Sequence, residues 1–227
     1  MVPRQLPLAL EHPPSLVGEN FLVAPSNRDA VRWLERWPDW PSPAIALFGP
    51  SGCGKTHLCQ VFLTRSLGVS VEPASLMYDR AIDLIAHAPA CVIDDADGAI
   101  AAGLEEPLLH LYNSLAEHKG KLLLTARAAP ARWPVKLADL RSRLNAVPSI
   151  GIGAPDDDLI AGVLVKLFAD RHLIVDSEVV LYALPRIERS FAAAQRLVAD
   201  LDAAALGSHR KITVALLRDV IRVSGCE

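Results

Sequence analysis

No run of residues approaches the roughly 18 consecutive apolar positions of a membrane span. The N-terminus offers an apolar stretch of only about six residues before Glu11 and His12, too short for the core of a secretory leader. A soluble cytoplasmic protein with no membrane partner is the expectation. Cysteine is scarce: Cys53, Cys59, Cys91 and Cys226 show no paired close spacing, and the seven histidines fall at no metal-ligand interval. That argues against a disulfide scaffold or a zinc site and leaves reduced thiols. Charge of one sign is lacking too, because the formal balance is only −3. A surface built wholly for nucleic acid is thereby disfavoured, although a local basic stripe would survive the average. Internal repeats and low-complexity segments are absent, and the alanine-rich stretch 192–205 is expected to serve close helix packing.

What is present is an ordinary globular composition: 227 residues, 51% hydrophobic and 22% charged, enough for one large or two small domains with a real core. Positions 1–15 carry prolines and isolated leucines without period and read as an extended tail. Ser26, Asn27, Arg28 and Asp29 open a helix with the apolar face Ala30, Val31, Trp33, Leu34 and Trp37, stopped by Pro38, Pro41 and Pro43. Strand and helix patterns then alternate. Strands are expected at 44–48, 69–71, 90–93, 121–125 and 147–152, and helices at 57–65, 79–87, 104–118 and 137–144. This is an α/β fold, a parallel sheet wrapped by helices. From Asp156 onward only helical patterns remain, at 157–170, 177–184, 189–206 and 213–223, so a small helical domain follows.

Residues 49–56 read Gly49-Pro50-Ser51-Gly52-Cys53-Gly54-Lys55-Thr56, between an apolar strand and a helix that opens at His57. Glycines at this spacing let backbone amides face a phosphate chain at a helix start. Lys55 reaches the β/γ-phosphates and the Thr56 hydroxyl holds Mg²⁺. ADP or ATP is the expected ligand. The usual partner of such a loop is a carboxylate at the end of another buried strand. Cys91-Val92-Ile93-Asp94-Asp95 supplies it, with Asp94 assigned to the metal, Asp95 to the position that polarises an attacking water, and Asp97 to a loop. Thr125 ends the next strand and is either a γ-phosphate sensor or plain turn chemistry. Arg141 and Arg143 sit on a short amphipathic helix, either as solvated surface or as guanidiniums that project toward a neighbouring molecule's nucleotide.

Four segments together resemble the AAA+ module of the bacterial initiator DnaA. They are 19–27 (ENFLVAPSN), the loop ending in Gly-Lys-Thr-His-Leu, the Ile93-Asp94-Asp95 strand end, and Leu140-Arg141-Ser142-Arg143-Leu144. The resemblance spans roughly 19–225 and implies a P-loop NTPase fold with a helical lid. It also implies an adenine site at 21–27 including Phe21 and Val23, and Arg143 as an arginine finger. Tail, base and lid are expected at 1–15, 16–154 and 155–227. DnaA continues into a helix-turn-helix domain for which this sequence leaves no room, so the initiator itself is not expected, nor is direct sequence-specific DNA binding. The tail points within the class. Gln5, Leu6, Leu8 and Leu10 form the Gln-Leu-x-Leu-x-Leu pattern that resembles the docking peptide of proteins riding on the DNA polymerase III sliding clamp. An extended peptide stiffened by Pro7 suits an apolar groove.

The combination resembles the Hda/HdaA class, negative regulators of replication initiation whose implied partners are DnaA and the clamp, with homo-oligomers possible. Two departures stand out. The place of a nucleotide-sensing lid arginine falls on Ala192, with Arg189 and Arg196 as candidate substitutes, and Arg127 stands where relatives carry an acid. Weak or absent intrinsic hydrolysis is therefore expected. The alternative is a self-hydrolysing AAA+ ATPase or helicase loader. The cluster His209, Arg210, Lys211, Arg218 and Arg222 reads as a solvated helix face.

Overall fold

The structure, a computed structural model, describes residues 22–77, 87–208 and 211–224. The tail positions Gln5, Leu6, Leu8 and Leu10, Phe21 of the expected adenine site, and all but His87 of the helix expected at 79–87 lie outside the described residues.

Five parallel strands are described: β1 (Ala44–Phe48), β2 (Val69–Ser70), β3 (Ala90–Ile93), β4 (Lys121–Ala126) and β5 (Ser149–Gly151), in the order β2-β3-β4-β1-β5. Registers such as Ile93 opposite Leu124 and Phe48 opposite Ala126 bring the C-terminal ends of β3, β4 and β1 to one edge. That is where open α/β sheets bind ligands. Because side chains alternate along a strand, the sheet builds two cores. Ala44, Ala46, Cys91, Ile93, Leu122 and Leu124 face α4 (Glu105–Glu117) and α5 (Ala138–Ala146) through Leu108, Leu111, Leu115, Leu140 and Leu144. On the opposite face Ile45, Leu47, Val92 and Leu123 meet α1 (Arg28–Glu35) and α2 (Lys55–Ser66) through Leu34, Leu58 and Phe62. Trp40 stacks on Phe62 at 5.3 Å between ring centroids, closing that layer.

The remaining helices are α3 (Ala96–Ala101), α6 (Asp157–Asp170), α7 (Ser177–Ala183), α8 (Phe191–Ser208) and α9 (Val214–Ser224). The last four surround their own core of Ile160, Leu164, Phe168, Val180, Ala194, Val198, Leu201, Leu217 and Ile221. The alanines of α8 divide: Ala193, Ala194 and Ala205 are buried, while Ala192, Ala199 and Ala203 are exposed. Asp156 caps α6 by accepting from the Leu159 amide at 2.8 Å, and the Ser190 hydroxyl accepts from the Ala193 amide at 3.1 Å at the head of α8.

Three differences from the sequence reading have local causes. The strand expected over 147–152 is regular only from Ser149, because Pro148 has no amide to donate, although its carbonyl still accepts from Ala46 at 2.9 Å. A short helix, α3, follows β3, and Asp97 lies in its first turn rather than in a loop. α1 begins at Arg28 because Asn27 is turned inward, accepting from the Ala24 amide at 2.9 Å and donating to the Leu22 carbonyl at 3.0 Å.

Candidate nucleotide-binding site

The loop 49–54 leaves β1 and enters α2 through two residues with positive φ, Gly52 at +74° and Gly54 at +97°. Both positions need glycine for a second reason, since a Cβ would come within 2.5 Å of the Ser190 Cβ at Gly52 and 3.0 Å of the Phe191 ring at Gly54. Lys55 folds its ammonium over the loop, donating to the carbonyls of Gly49 at 2.8 Å and Pro50 at 2.9 Å. Cys53 is buried beneath it, while Ser51, Thr56 and His57 face solvent.

Asp94 emerges at the end of β3 between two hydroxyls. Thr56 Oγ1 donates to its Oδ2 at 2.6 Å, and the Thr125 hydroxyl donates to its Oδ1. Thr125, fully buried at the end of β4, also accepts from the Asp95 amide at 3.1 Å. One side chain therefore orients the carboxylate and fixes the peptide that follows it. Asp95 adopts a left-handed φ of +64° beside the loop. Partial burial raises its carboxyl above the usual aspartate range, Asp97 pushes the same way through charge and a hydrogen bond, and Arg127 opposes them. Asp97 pins the Arg127 amide, accepting from it at 3.0 Å.

A cleft of about 510 Å³ opens over these groups, floored by the loop and by Asp94, Asp95, Thr125 and Arg127, and roofed by Phe191, Ala192 and Gln195 of α8. The Phe191 amide donates to the Gly52 carbonyl at 3.1 Å, so the head of the helix rests on the loop. His57, Phe191 and Gln195 also line an adjoining cleft of about 360 Å³ that reaches Leu22, and a third, of about 220 Å³, runs from Leu22 along Val23 and Pro25. The expected adenine residue Val23 thus stands in the smallest of these three clefts, whose lining includes no residue of the phosphate loop. Neither expected substitute for a lid arginine lines the main cleft. Arg189 is paired with Asp157 (Nε to Oδ1 2.6 Å, Nη2 to Oδ2 3.0 Å), and Arg196 is exposed elsewhere on α8.

The donor set fits Mg²⁺ in the company of phosphates. Thr56 and Asp94 supply hard oxygens, and among the described residues no cluster of three or more His, Cys, Asp or Glu could hold a metal by itself. This matches an ion that takes one or two protein ligands and completes its shell with phosphate oxygens and water.

Arg143 lies apart from the cleft. On α5 its Nε donates to Asp139 Oδ1 at 3.1 Å, its guanidinium stands 5.6 Å from the Tyr112 ring centroid, and 38% of the side chain is exposed. Arg141, two residues before, faces solvent. The entry to α5 is held by Glu105, whose carboxylate accepts from the amides of Lys136 at 3.0 Å and Leu137 at 2.6 Å. These two bonds draw the Glu105 carboxyl below its usual range.

Residues 157–221 match the family described as Hda, lid domain. The replication initiator DnaA of Thermomicrobium roseum is 26% identical over 92% of this chain and 50% of its own length. A Haemophilus influenzae protein described as uncharacterized is 23% identical over 97% of this chain and 99% of its own. Domain III of Thermotoga maritima DnaA superposes with a TM-score of 0.78 at 16% identity, covering 90% of this chain and 94% of that one. The chain has the AAA+ fold of DnaA domain III, and its lid is similar to that of the Hda family. AMPPCP-bound DnaA from Aquifex aeolicus shares the fold as well, with a TM-score of 0.68 at 18% identity over 81% of this chain and 64% of that one. The chain spans about half the length of the curated DnaA relatives it matches.

Within this DnaA-like frame, three residues escaped the sequence reading. Phe191 and Gln195 roof the cleft, and their only sequence signal is a place at the start of a lid helix. Glu105 looks like any acidic residue opening a helix, and its partners at 136 and 137 come into view only when α4 and α5 are packed together.

Proposed function

We propose that this protein is a negative regulator of replication initiation that carries an adenine nucleotide and stimulates hydrolysis of ATP bound to DnaA. In this reading the base 16–154 and lid 155–227 enclose the nucleotide, while the tail 1–15 docks on the DNA-loaded sliding clamp. The observation that carries the reading is the position of Arg143. It is solvent-accessible, oriented by Asp139 and Tyr112 on a helix pinned by Glu105, and absent from the lining of its own cleft. A guanidinium so placed serves a nucleotide on another molecule. When that nucleotide is held by DnaA, Arg143 stabilises the charge that builds on the transferred phosphoryl group, an effect worth on the order of a thousandfold or more in rate.

The chain's own site supports binding more than turnover. Loop amides and Lys55 bind the phosphates, Thr56 and Asp94 hold Mg²⁺, which neutralises phosphate charge when bound, and Thr125 keeps Asp94 in place. Asp95 stands where a water would be polarised. The lid offers Ala192 rather than a cation, leaving Arg127 and Lys55 as the arginine and lysine of the cleft lining. Either ADP or ATP suits the site, and a resident ADP would organise the module for docking. The cytoplasm is the compartment of this reading. No helix among the described residues is long and apolar enough to cross a membrane.

The test is DnaA-ATP hydrolysis reconstituted with and without DNA-loaded clamp. Arg143→Ala should abolish stimulation yet keep clamp association, and a variant that stimulates fully refutes the finger. Deletion of 4–10 should remove clamp association without changing the melting temperature; retained association discards the docking role of Gln5, Leu6, Leu8 and Leu10. Rapid ATP turnover by the isolated protein would favour a self-hydrolysing loader instead.

A further inference from the structure

A separate cleft, of about 530 Å³, lies on the lid and shares no residue with the nucleotide cleft. Three arginines line it: Arg186 from the turn after α7, and Arg218 and Arg222 from successive turns of α9. Two of them, Arg186 and Arg218, converge on one aromatic ring. The Arg186 guanidinium stacks 3.7 Å from the Tyr182 centroid and donates to the Tyr182 carbonyl at 3.0 Å, while Arg218 lies 5.8 Å from the same centroid and donates to the phenol oxygen at 3.4 Å. The same guanidiniums, Arg218 through its hydrogen bond foremost, lower the Tyr182 phenol from its usual range. Among the described residues, no carboxylate lines the cleft and none of the three arginines is in an ion pair. In a chain whose formal charge is −3, such a convergence of uncompensated cations concentrates positive potential in one spot. Guanidinium forks immobilised on an aromatic ring lose little freedom on meeting an oxyanion, which favours bidentate capture.

We infer that this cleft docks an acidic segment of a protein partner, one whose carboxylates alternate with aliphatic side chains. The walls decide between carboxylates and a nucleic-acid strand. Pro185, Ile187 and Ile221 supply apolar surface between the guanidiniums, and Leu181, next to Tyr182 in the chain, is 53% exposed. Aliphatic side chains of a peptide bury there. Single-stranded nucleic acid gains much of its affinity from open aromatic faces, and Arg186 already covers one face of Tyr182.

Fluorescence anisotropy with the full chain tests this. The probe is a labelled peptide of alternating glutamate and leucine, compared with its glutamine counterpart and with a labelled oligothymidylate at near-physiological salt. The glutamate peptide should bind best. Arg186→Ala/Arg222→Ala should weaken it at least about tenfold, as expected for loss of charge-assisted contacts. Arg28→Ala/Arg132→Ala, an equal loss of charge on α1 and on the turn after β4, should leave it unchanged, and melting temperatures should report all variants folded. Because the readout is peptide binding, failure here leaves the arginine-finger reading untouched. Equal losses in the two double variants, no loss in the first, or tighter binding of the oligonucleotide than of the peptide would each overturn the proposal.

Discussion

Replacing Thr125 by valine removes one hydroxyl and almost no volume, so its effect isolates the two hydrogen bonds that tie β3 to β4 at the cleft. Thr125 is fully buried and donates to the Asp94 carboxylate while accepting from the Asp95 amide. Losing a bond to a charged group costs about 1.5–3 kcal/mol, and an unsatisfied amide a further 1–3. Asp94 is only half-buried and keeps Thr56, so water recovers part of this. A net loss of about 2 kcal/mol follows, which for a chain of this size lowers the melting temperature by about 4–8 °C. A second consequence is specific to function. Removing a group that orients a metal ligand typically costs about 10–100-fold in metal affinity. Calorimetric titration of ADP should therefore show the Mg²⁺-dependent gain in affinity falling by at least about tenfold in Thr125→Val. Metal-free binding to the loop should change little, and Thr125→Ser should recover most of both losses. A valine variant that melts with the native protein and keeps its Mg²⁺ dependence would refute the orientation argument.

Asp95→Asn probes the raised carboxyl. A raised pKa means that the folded chain holds the proton more tightly than the unfolded chain, so native stability should fall as pH climbs from the ordinary aspartate range through the raised value. In nucleotide-free protein, urea denaturation of the asparagine variant across that window should show a shallower fall and higher stability at neutral pH; an unaltered pH profile would contradict the burial and Asp97 repulsion described above. Glu105→Ala has the opposite sign. Its lowered carboxyl contributes stability above the ordinary glutamate range that is lost as pH falls through the lowered value. Loss of the bonds to Lys136 and Leu137 should cost about 1–2 kcal/mol at neutral pH, and the two denaturation curves should converge in acid. The variant should also weaken stimulation of DnaA while leaving nucleotide affinity intact, and a stability gap that persists at low pH would show that the bonds contribute little.

Much of the architecture follows from local chemistry. The run 44–48 is apolar throughout and meets a glycine-rich loop, so strand, loop and helix could be placed without any partner in view. Their observed limits, Ala44–Phe48 and Lys55–Ser66, differ from expectation by two residues at most. The helices of the lid were legible for the same reason, since their apolar spacing is a property of each segment. Asp94 and Thr125 were legible as strand ends facing a phosphate loop. Their mutual hydrogen bond was not, because it depends on the register that sets Ile93 opposite Leu124.

Choices among chemically equivalent side chains belong to the tertiary structure. Arg189 and Arg196 were both plausible substitutes for a nucleotide-facing lid cation, yet packing of α8 against α6 delivers Arg189 to Asp157, and Phe191, Ala192 and Gln195 are the residues at the head of α8 that reach the cleft. Arg218 and Arg222 belonged, by position along the chain, to a basic cluster with His209, Arg210 and Lys211. The fold regroups both with Arg186 and Tyr182. The amino-acid order by itself determined a phosphate loop, a parallel sheet and a helical lid, because backbone conformation and hydrophobic period are local. Which cations face the cleft, which stand apart from it and which gather beside Tyr182 was decided only by packing, because a charge acts over distances that chain separation does not reveal.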